Sequence, residues 1–392
     1  MTQTVLTPAS VTLPTVILLV DDQPIIGAAV QKMISGQHDW KFHFCPDPTK
    51  AVEKAIELNP TVILQDLVMP GIDGLDLVAA YRQQPSLKET PLVVLSSKEE
   101  AETKAKAFAL GANDYLVKLP DAVELVARIR YHARANRAQR ERDAAFNALR
   151  AELDSAAHYV QSLIPEPVDG RVRTRWAFVP SASLGGDSFG YHWLDGDRMA
   201  IYLLDVCGHG VGPALLSVSV MNALQVNALG GADLRDPGAV LTALNAMFPM
   251  SKHNGMFFTM WYGVADLSAR TLRYGSAGHP PALLVSPGRD DRRLGGDEPV
   301  SGPMIGAIDG LSFDSATTEL PGGSRLYLYS DGIHELARDD GSMWSLDEFL
   351  QGASREARGP DGAVERLVAA SRAWQGRPEF QDDVSVLEAI FP

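Results

Sequence analysis

The sequence predicts two differently built regions joined by a helix: a five-stranded parallel α/β sheet flanked by helices, then a helical connector, then an α+β sandwich. In the first third of the chain, short apolar runs alternate with helical patterns, the arrangement of a parallel sheet covered on both faces. A stretch free of Gly and Pro then runs from Asp121 to Ile164. Beyond it, many short β runs are divided by Gly, Asp and Pro and interrupted by two helical stretches, which argues grouped strands and grouped helices.

The elements follow in order. Val16-Ile17-Leu18-Leu19-Val20 is an apolar run that stops at Asp21-Asp22, and Pro24 opens a helical pattern through Ile25, Ile26, Val30 and Met33. Val62 to Gln65 leads into Asp66, Leu92 to Leu95 into Ser96, and Tyr115 to Val117 into Lys118. In such a sheet ligands bind at the carboxyl ends of the strands, and each of these runs ends in a polar or charged residue. Within the Gly- and Pro-free stretch, Phe146, Leu149, Leu153, Ala156, Val160 and Leu163 recur at spacings of three and four. That seam fits either a surface helix packed on its own domain or a connector that pairs with a second chain. Pro165-Glu166-Pro167 closes it. The second half offers β runs at Arg198–Leu204, Met256–Tyr262 and Arg325–Tyr329, with helical stretches at Gly212–Leu229 and Pro237–Phe248. The expected domains are 15–134, a helical linker over 135–166, and 167–392.

Composition narrows the class. The chain has 392 residues, is 45% hydrophobic and 21% charged, and carries a formal charge of -14. That profile is globular, and no global positive field would hold it on nucleic acid or an anionic membrane. No run approaches the roughly 18 apolar residues of a membrane span. The first basic residue is Lys32, so no basic n-region of a secretory signal is present. Two cysteines, Cys45 and Cys207, make neither a disulfide framework nor a Cys-rich zinc site. A cytoplasmic protein without membrane or nucleic-acid partners is expected.

Asp21, Asp22, Asp66, Ser96 and Lys118 stand together at the sheet end. Clustered carboxylates repel unless a hard divalent cation neutralises them, and a carboxylate so placed can attack phosphorus to give an acyl phosphate. A Lys ammonium pairs with the new charge, and a Ser hydroxyl adds a movable hydrogen bond. On these residues, and on Leu-Val-Met-Pro-Gly after Asp66, residues 15–134 resemble a two-component response-regulator receiver domain, which has a flavodoxin-like fold. The resemblance implies that Asp66 is the phosphoacceptor, that Asp21 and Asp22 with Asp66 hold Mg²⁺, that Lys118 completes the site, and that Ser96 and Tyr115 are the switch pair. It also implies a sensor histidine kinase or phosphotransfer protein as donor. One departure is Leu119 between Lys118 and Pro120, where most receivers have Lys and Pro adjacent.

Four further aspartate sites lie far apart in the second half: Gly185-Gly186-Asp187, Leu204-Asp205 through Gly210, Ser330-Asp331-Gly332 and Gln381-Asp382-Asp383. A lone Asp-Gly is usually a turn. Here Asp205 and Asp331 each follow an apolar strand, and carboxylates without His or Cys partners suit Mg²⁺ or Mn²⁺. Two such ions can activate a shared water and clamp a phosphoryl group. With Ser276-Ala277-Gly278-His279-Pro280-Pro281 and Glu335 added, this half resembles the SpoIIE-like branch of the PPM (protein phosphatase 2C) Ser/Thr phosphatases, whose fold is an αββα sandwich. The resemblance implies Asp205 as bridging ligand, Asp331 and Asp382 as further ligands, the Val206 carbonyl as another, and Asp187 acting directly or through water. Asp383 could exchange roles with Asp382. Two Mn²⁺ or Mg²⁺ are implied, with direct attack by water and no phospho-enzyme. His209 is a candidate general acid or a loop residue fixing the glycine turn. Cys207 stands where eukaryotic members have His.

The combined expectation is a response regulator whose phosphorylation at Asp66 controls a metal-dependent protein Ser/Thr phosphatase. The resemblance implies a phosphorylated anti-sigma-factor antagonist of the STAS type as substrate, in a partner-switching pathway, and a homodimer through the linker. The alternative is a non-catalytic adaptor that sequesters a sigma or anti-sigma factor.

Overall fold

The computed structural model describes residues 14–97, 100–181, 184–226, 228–296 and 300–392. The chain forms two compact units that divide between Leu149 and Arg150.

The first unit is built on a five-stranded, wholly parallel sheet in the order Trp40–Cys45, Thr15–Val20, Val62–Asp66, Leu92–Ser96, Asp114–Val117. The central runs are buried on both faces, which is why they read as unbroken apolar segments. Ile17, Leu19, Leu64 and Leu95 face one core with Ile129 and Ala133, while Leu18, Val20, Ile63 and Val94 face the other. Helices Pro24–Ile34, Ala51–Leu58, Gly74–Gln83 and Ala101–Ala109 surround it. Gly74 permits a close approach: a Cβ there would stand 2.2 Å from the Asp66 carbonyl oxygen.

The last helix of this unit continues as one element from Ala122 to Gln161. Within the first unit, Arg140 donates to the carbonyls of Asn59 and Pro60 at 3.2 and 2.8 Å, and Asn136 donates to that of Glu89 at 3.3 Å. Phe146 and Leu149 are exposed. Within the second unit, Leu153, Ala157 and Val160 pack on Leu184 and Ala214. Of the seam read from the sequence, Phe146, Leu149 and Ala156 are exposed and Leu153 and Val160 are packed, with Ala157 rather than Ala156 turned inward.

The second unit is an αββα sandwich. One sheet runs Ser188–Trp193, Arg198–Val206, Phe258–Asp266, Thr271–Ala277, and both Ser301–Gly302 and Ala316–Glu319 pair with the last of these. The other runs Arg292–Leu294, Ala282–Val285, Arg325–Tyr329, Val384–Ile390, Arg173–Val179. Phe189, Leu203 and Trp261 from one sheet meet Leu284, Leu326 and Leu387 from the other in the inner core. Helices Val211–Gln225 and Pro237–Met247 cover the first sheet. Helices Leu346–Ala357 and Ala363–Gln375 cover the second. Ser345 caps the third of these helices with Glu348 in a reciprocal capping box.

Candidate functional site

In the first unit, Asp21 follows its strand and Asp66 ends its own, and both are almost wholly buried. Oxygens of Asp21, Asp22 and Asp66 lie within 4.8 Å of one another. Lys118 closes the group, its Nζ 3.0 Å from Asp21 Oδ2 and 2.8 Å from Asp66 Oδ2. Burial works against the Lys118 ammonium, but its bonds to Asp66 and Asp21 outweigh that and hold its pKa above the ordinary value. Burial pushes the Asp66 carboxyl up, against the pull of Lys118. Asp21 Oδ1 accepts from Gln23 N–H at 2.9 Å and Asp66 Oδ1 from Val68 N–H at 3.2 Å. Asp22 Oδ1 is buried without a hydrogen-bond partner, and Asp21 Oδ2 and Asp66 Oδ2 face only the Lys118 ammonium. A hard cation fits such a set of carboxylate oxygens.

Ser96 is buried at the end of its strand, and its carbonyl accepts from Lys118 N–H at 2.9 Å. Tyr115 is half-buried, with Lys104 Nζ 5.3 Å from its ring centroid. Leu119 resolves the departure from Lys-Pro: it takes a left-handed φ of 52°, and every peptide bond described is trans.

In the second unit, both sheets deliver aspartates to one end of the sandwich. Ser188 pairs with Leu204 in antiparallel register, which sets Asp187 across from Asp205. A Cβ on Gly186 would stand 2.5 Å from the Val206 carbonyl oxygen, so glycine lets the loop lie against that carbonyl. On the other sheet Tyr329 pairs with Val386, which brings Asp331 beside the Asp382-Asp383 turn. Asp187 is buried, and neither of its oxygens has a hydrogen-bond partner of ordinary geometry.

These aspartates weigh on one another electrostatically, although among the described residues only Asp21, Asp22 and Asp66 bring three such oxygens within 4.8 Å of one another. Burial, then the charges of Asp331 and Asp382, raise Asp205 to about 8. Burial, then Asp382 and Glu335, raise Asp331 to about 6. Burial and Asp205 hold Asp187 well above the usual carboxylate range. Among the described residues no Lys or Arg forms an ion pair with Asp187, Asp205, Asp331, Asp382 or Asp383. A cluster of this kind, all oxygen and lacking any internal counter-charge, suits hard divalent cations.

His209 is exposed on the loop after Val206. His279 and His334 are buried and line a cavity of about 380 Å³ with Thr259, Asp331 and Glu335. His279 Nδ1 lies 2.9 Å from Thr259 Oγ1. Burial lowers its pKa to about 3 and that of His334 to about 4, so neither carries a proton as imidazolium near neutral pH. Cys207 accepts from Phe257 N–H at 3.3 Å. Residues that sequence reasoning did not single out are Ser181, Ser330 and Ser385, whose hydrogen bonds tie the aspartate segments together. Ser330 at least stood next to Asp331, whereas Ser181 had no distinguishing neighbour.

Comparison with known proteins bears on both units. Residues 195–391, half of the chain, match the family described as Stage II sporulation protein E (SpoIIE), and residues 17–130 match the response regulator receiver domain. Phosphoserine phosphatase RsbP of Bacillus subtilis is 30% identical over 187 residues, 46% of this chain and 45% of that protein. Transcriptional regulatory protein SrrA of Staphylococcus aureus is 33% identical over 114 residues, 29% of this chain and 46% of that protein. The chain spans about half the length of the curated relatives it matches. The solved SiaA-PP2C domain of Pseudomonas aeruginosa aligns with a TM-score of 0.55 at 23% identity, covering 64% of this chain and 99% of that one; this likeness shows the fold.

Proposed function

The chain belongs to the SpoIIE family, with a receiver domain ahead of the SpoIIE domain, and from that premise we propose a phosphorylation-controlled protein Ser/Thr phosphatase. The observation that carries the reading is that Asp187, Asp205 and Asp331, delivered from two sheets, have carboxyls raised first by burial and then by neighbouring carboxylates, Asp382 among them, with no Lys or Arg ion pair among the described residues. A scaffold that only bound a partner would have no use for that electrostatic cost.

Asp205, Asp331, Asp382 and the Val206 carbonyl are the proposed ligands of two Mn²⁺ or Mg²⁺, with Asp187 direct or through water. When bound, the pair would lower the pKa of a shared water and neutralise phosphoryl oxygens. The chain itself supplies orientation: the Gly185-Gly186 loop leaves space at the Val206 carbonyl. His279, neutral and held by Thr259, positions the cavity wall beside Asp331 rather than donating a proton. Exposed His209 is free to approach a leaving serine or threonine oxygen.

In the receiver, Asp66 is the proposed phosphoacceptor, accepting from a histidine kinase or phosphotransfer protein with Mg²⁺ held by Asp21, Asp22 and Asp66. Lys118 pairs with the added charge, and Ser96 and Tyr115 carry the change outward. The linker passes it on, its seam pairing two copies in a cytoplasmic homodimer. RsbP is named a phosphoserine phosphatase, which supports phosphoserine as the group hydrolysed here; the resemblance to SpoIIE-like phosphatases is what suggests a STAS-type anti-sigma-factor antagonist as its carrier.

The test is phosphate release from such a phosphoprotein by the full chain with Mn²⁺, with and without beryllofluoride on the receiver. Turnover lost in Asp205→Asn and altered by beryllofluoride is expected. Tight binding with no turnover at any Mn²⁺ concentration would replace the enzyme with an adaptor.

A further inference from the structure

We infer that Asp383 is a positioning residue, not a metal ligand: its carboxylate holds Ser181 and Gly186 in place and leaves ligation on its turn to Asp382. This rests on the metal-dependent reading above.

The two neighbouring aspartates face opposite circumstances. Asp383 is 3% exposed. Its Oδ1 accepts from Ser181 N–H at 2.8 Å and from the Ser181 hydroxyl at 3.0 Å, and its Oδ2 accepts from Gly186 N–H at 2.7 Å. These are charge-assisted bonds to three donors, and they use both oxygens on the protein itself. Two glycines admit the group: a Cβ on Gly185 would stand 2.5 Å from Asp383 Oδ2, and one on Gly332 would stand 2.2 Å from the Asp383 carbonyl oxygen. That carbonyl also accepts from the Ser330 hydroxyl at 3.1 Å. Asp383 therefore ties together the segments that carry Asp187, Asp331 and Asp382.

Asp382 is exposed. One of its oxygens accepts from Asp383 N–H at 2.8 Å, and the other takes no hydrogen bond among the described residues. Its charge raises both Asp205 and Asp331, while that of Asp383 raises Asp187 and, after Asp382, Asp205. What separates the two is that only Asp383 has both oxygens taken by protein donors. Asp383 thus acts on Asp187 through the backbone of Gly186, one residue before it.

The experiment is a Mn²⁺ titration of the full chain by calorimetry and electron paramagnetic resonance, with melting in chelator as the folding control. Asp382→Asn should lose one of the bound Mn²⁺. Asp383→Asn turns an amide toward the Ser181 or Gly186 N–H. It should keep the full number of ions but weaken them on the order of tenfold or more, the range for groups that orient ligands. Saturating Mn²⁺ should then return kcat toward the parent value. Ser181→Ala, which removes only the hydroxyl bond, should show the same pattern more weakly and keeps the test available if Asp383→Asn does not fold. Loss of an ion in Asp383→Asn, or unchanged Mn²⁺ affinity in both Asp383→Asn and Ser181→Ala, would overturn the inference. If the parent chain binds no Mn²⁺ at all, the metal-dependent reading itself fails, a separate and recognisable outcome.

Discussion

The two acidic clusters of this molecule solve the same electrostatic problem in opposite ways. Asp21 and Asp66 carry their counter-charge with them, Lys118 lying 3.0 and 2.8 Å away. Asp187, Asp205, Asp331 and Asp382 have no ammonium or guanidinium ion pair among the described residues, and the cost appears as a carboxyl at about 8 on Asp205 and about 6 on Asp331. A site that stores a phosphoryl group on a carboxylate needs a permanent cation beside the new charge. A site that passes the group to water gains from leaving that space to exchangeable ions.

The largest effect expected separates the two chemistries outright. Asp205→Asn should lower phosphoserine hydrolysis on the order of a thousandfold, at the top of the range for removing one group that stabilises a transition state. Labelling of Asp66 by acetyl phosphate should persist; if labelling fell in parallel, the clusters would not be independent. Next, Lys118→Ala leaves Asp21 and Asp66 buried without their ammonium. In magnesium-free buffer it should destabilise the first unit by about 3 kcal/mol, with Mg²⁺ restoring part of it, as followed by urea unfolding. An unchanged midpoint would mean that the lysine is not the counter-charge.

The second cluster should be exposed by pH. Asp205 and Asp331 titrate above an unfolded carboxyl near about 3.9, so the folded state binds more protons over the intervening range. The contribution of Asp205 and Asp331 to the metal-free fold should therefore be lost as pH rises through about 6 and then about 8. Buried His279 and His334, held to about 3 and about 4, pull the other way below an unfolded imidazole near about 6.5, so the net fall in stability is to be read between about 6.5 and about 8. Mn²⁺ should reverse that trend, adding about 2.7 kcal/mol at a hundred times its Kd. Its benefit should shrink toward pH 5, where protons compete for the same oxygens. Calorimetric melting across this range is the measurement, and a benefit that grew in acid would contradict the assignment. The smallest effect lies on the linker: Phe146→Ser with Leu149→Ser should move melting by no more than about 0.5 kcal/mol, because both side chains are exposed. Sedimentation equilibrium should nonetheless register a fall from dimer toward monomer.

Much of this was legible in the sequence where a strand is an unbroken apolar run. Asp66, Ser96 and Lys118 could be placed because Val62–Asp66 and Leu92–Ser96 are buried on both faces and Asp114–Val117 pairs beside them. The α+β character of the second half followed from the change in spacing after the linker, whereas its αββα layering was implied only by the resemblance to the SpoIIE-like phosphatases. The division between Leu149 and Arg150 was not legible, since nothing in composition changes there. It is set by distant partners such as the Asn59 and Pro60 carbonyls that Arg140 reaches. Met256 and Phe257 looked like the start of a strand, yet the strand begins at Phe258; Phe257 instead pairs its backbone with the Cys207 loop. Adjacent Asp382 and Asp383 must point to opposite sides, but the choice between them depends on Ser181, which no local pattern marks.

The strand Val384–Ile390 lies between Arg325–Tyr329 and Arg173–Val179, with Ile390 opposite Arg173. During translation the ribosome releases Arg173 long before its hydrogen-bonding neighbour exists. The receiver can fold early from local contacts, whereas the second sheet must wait for its late inner strand, a topology that slows folding. Newly made chains should thus become phosphorylatable before they become hydrolytic, and a nick ahead of that strand would leave a sensor with no output.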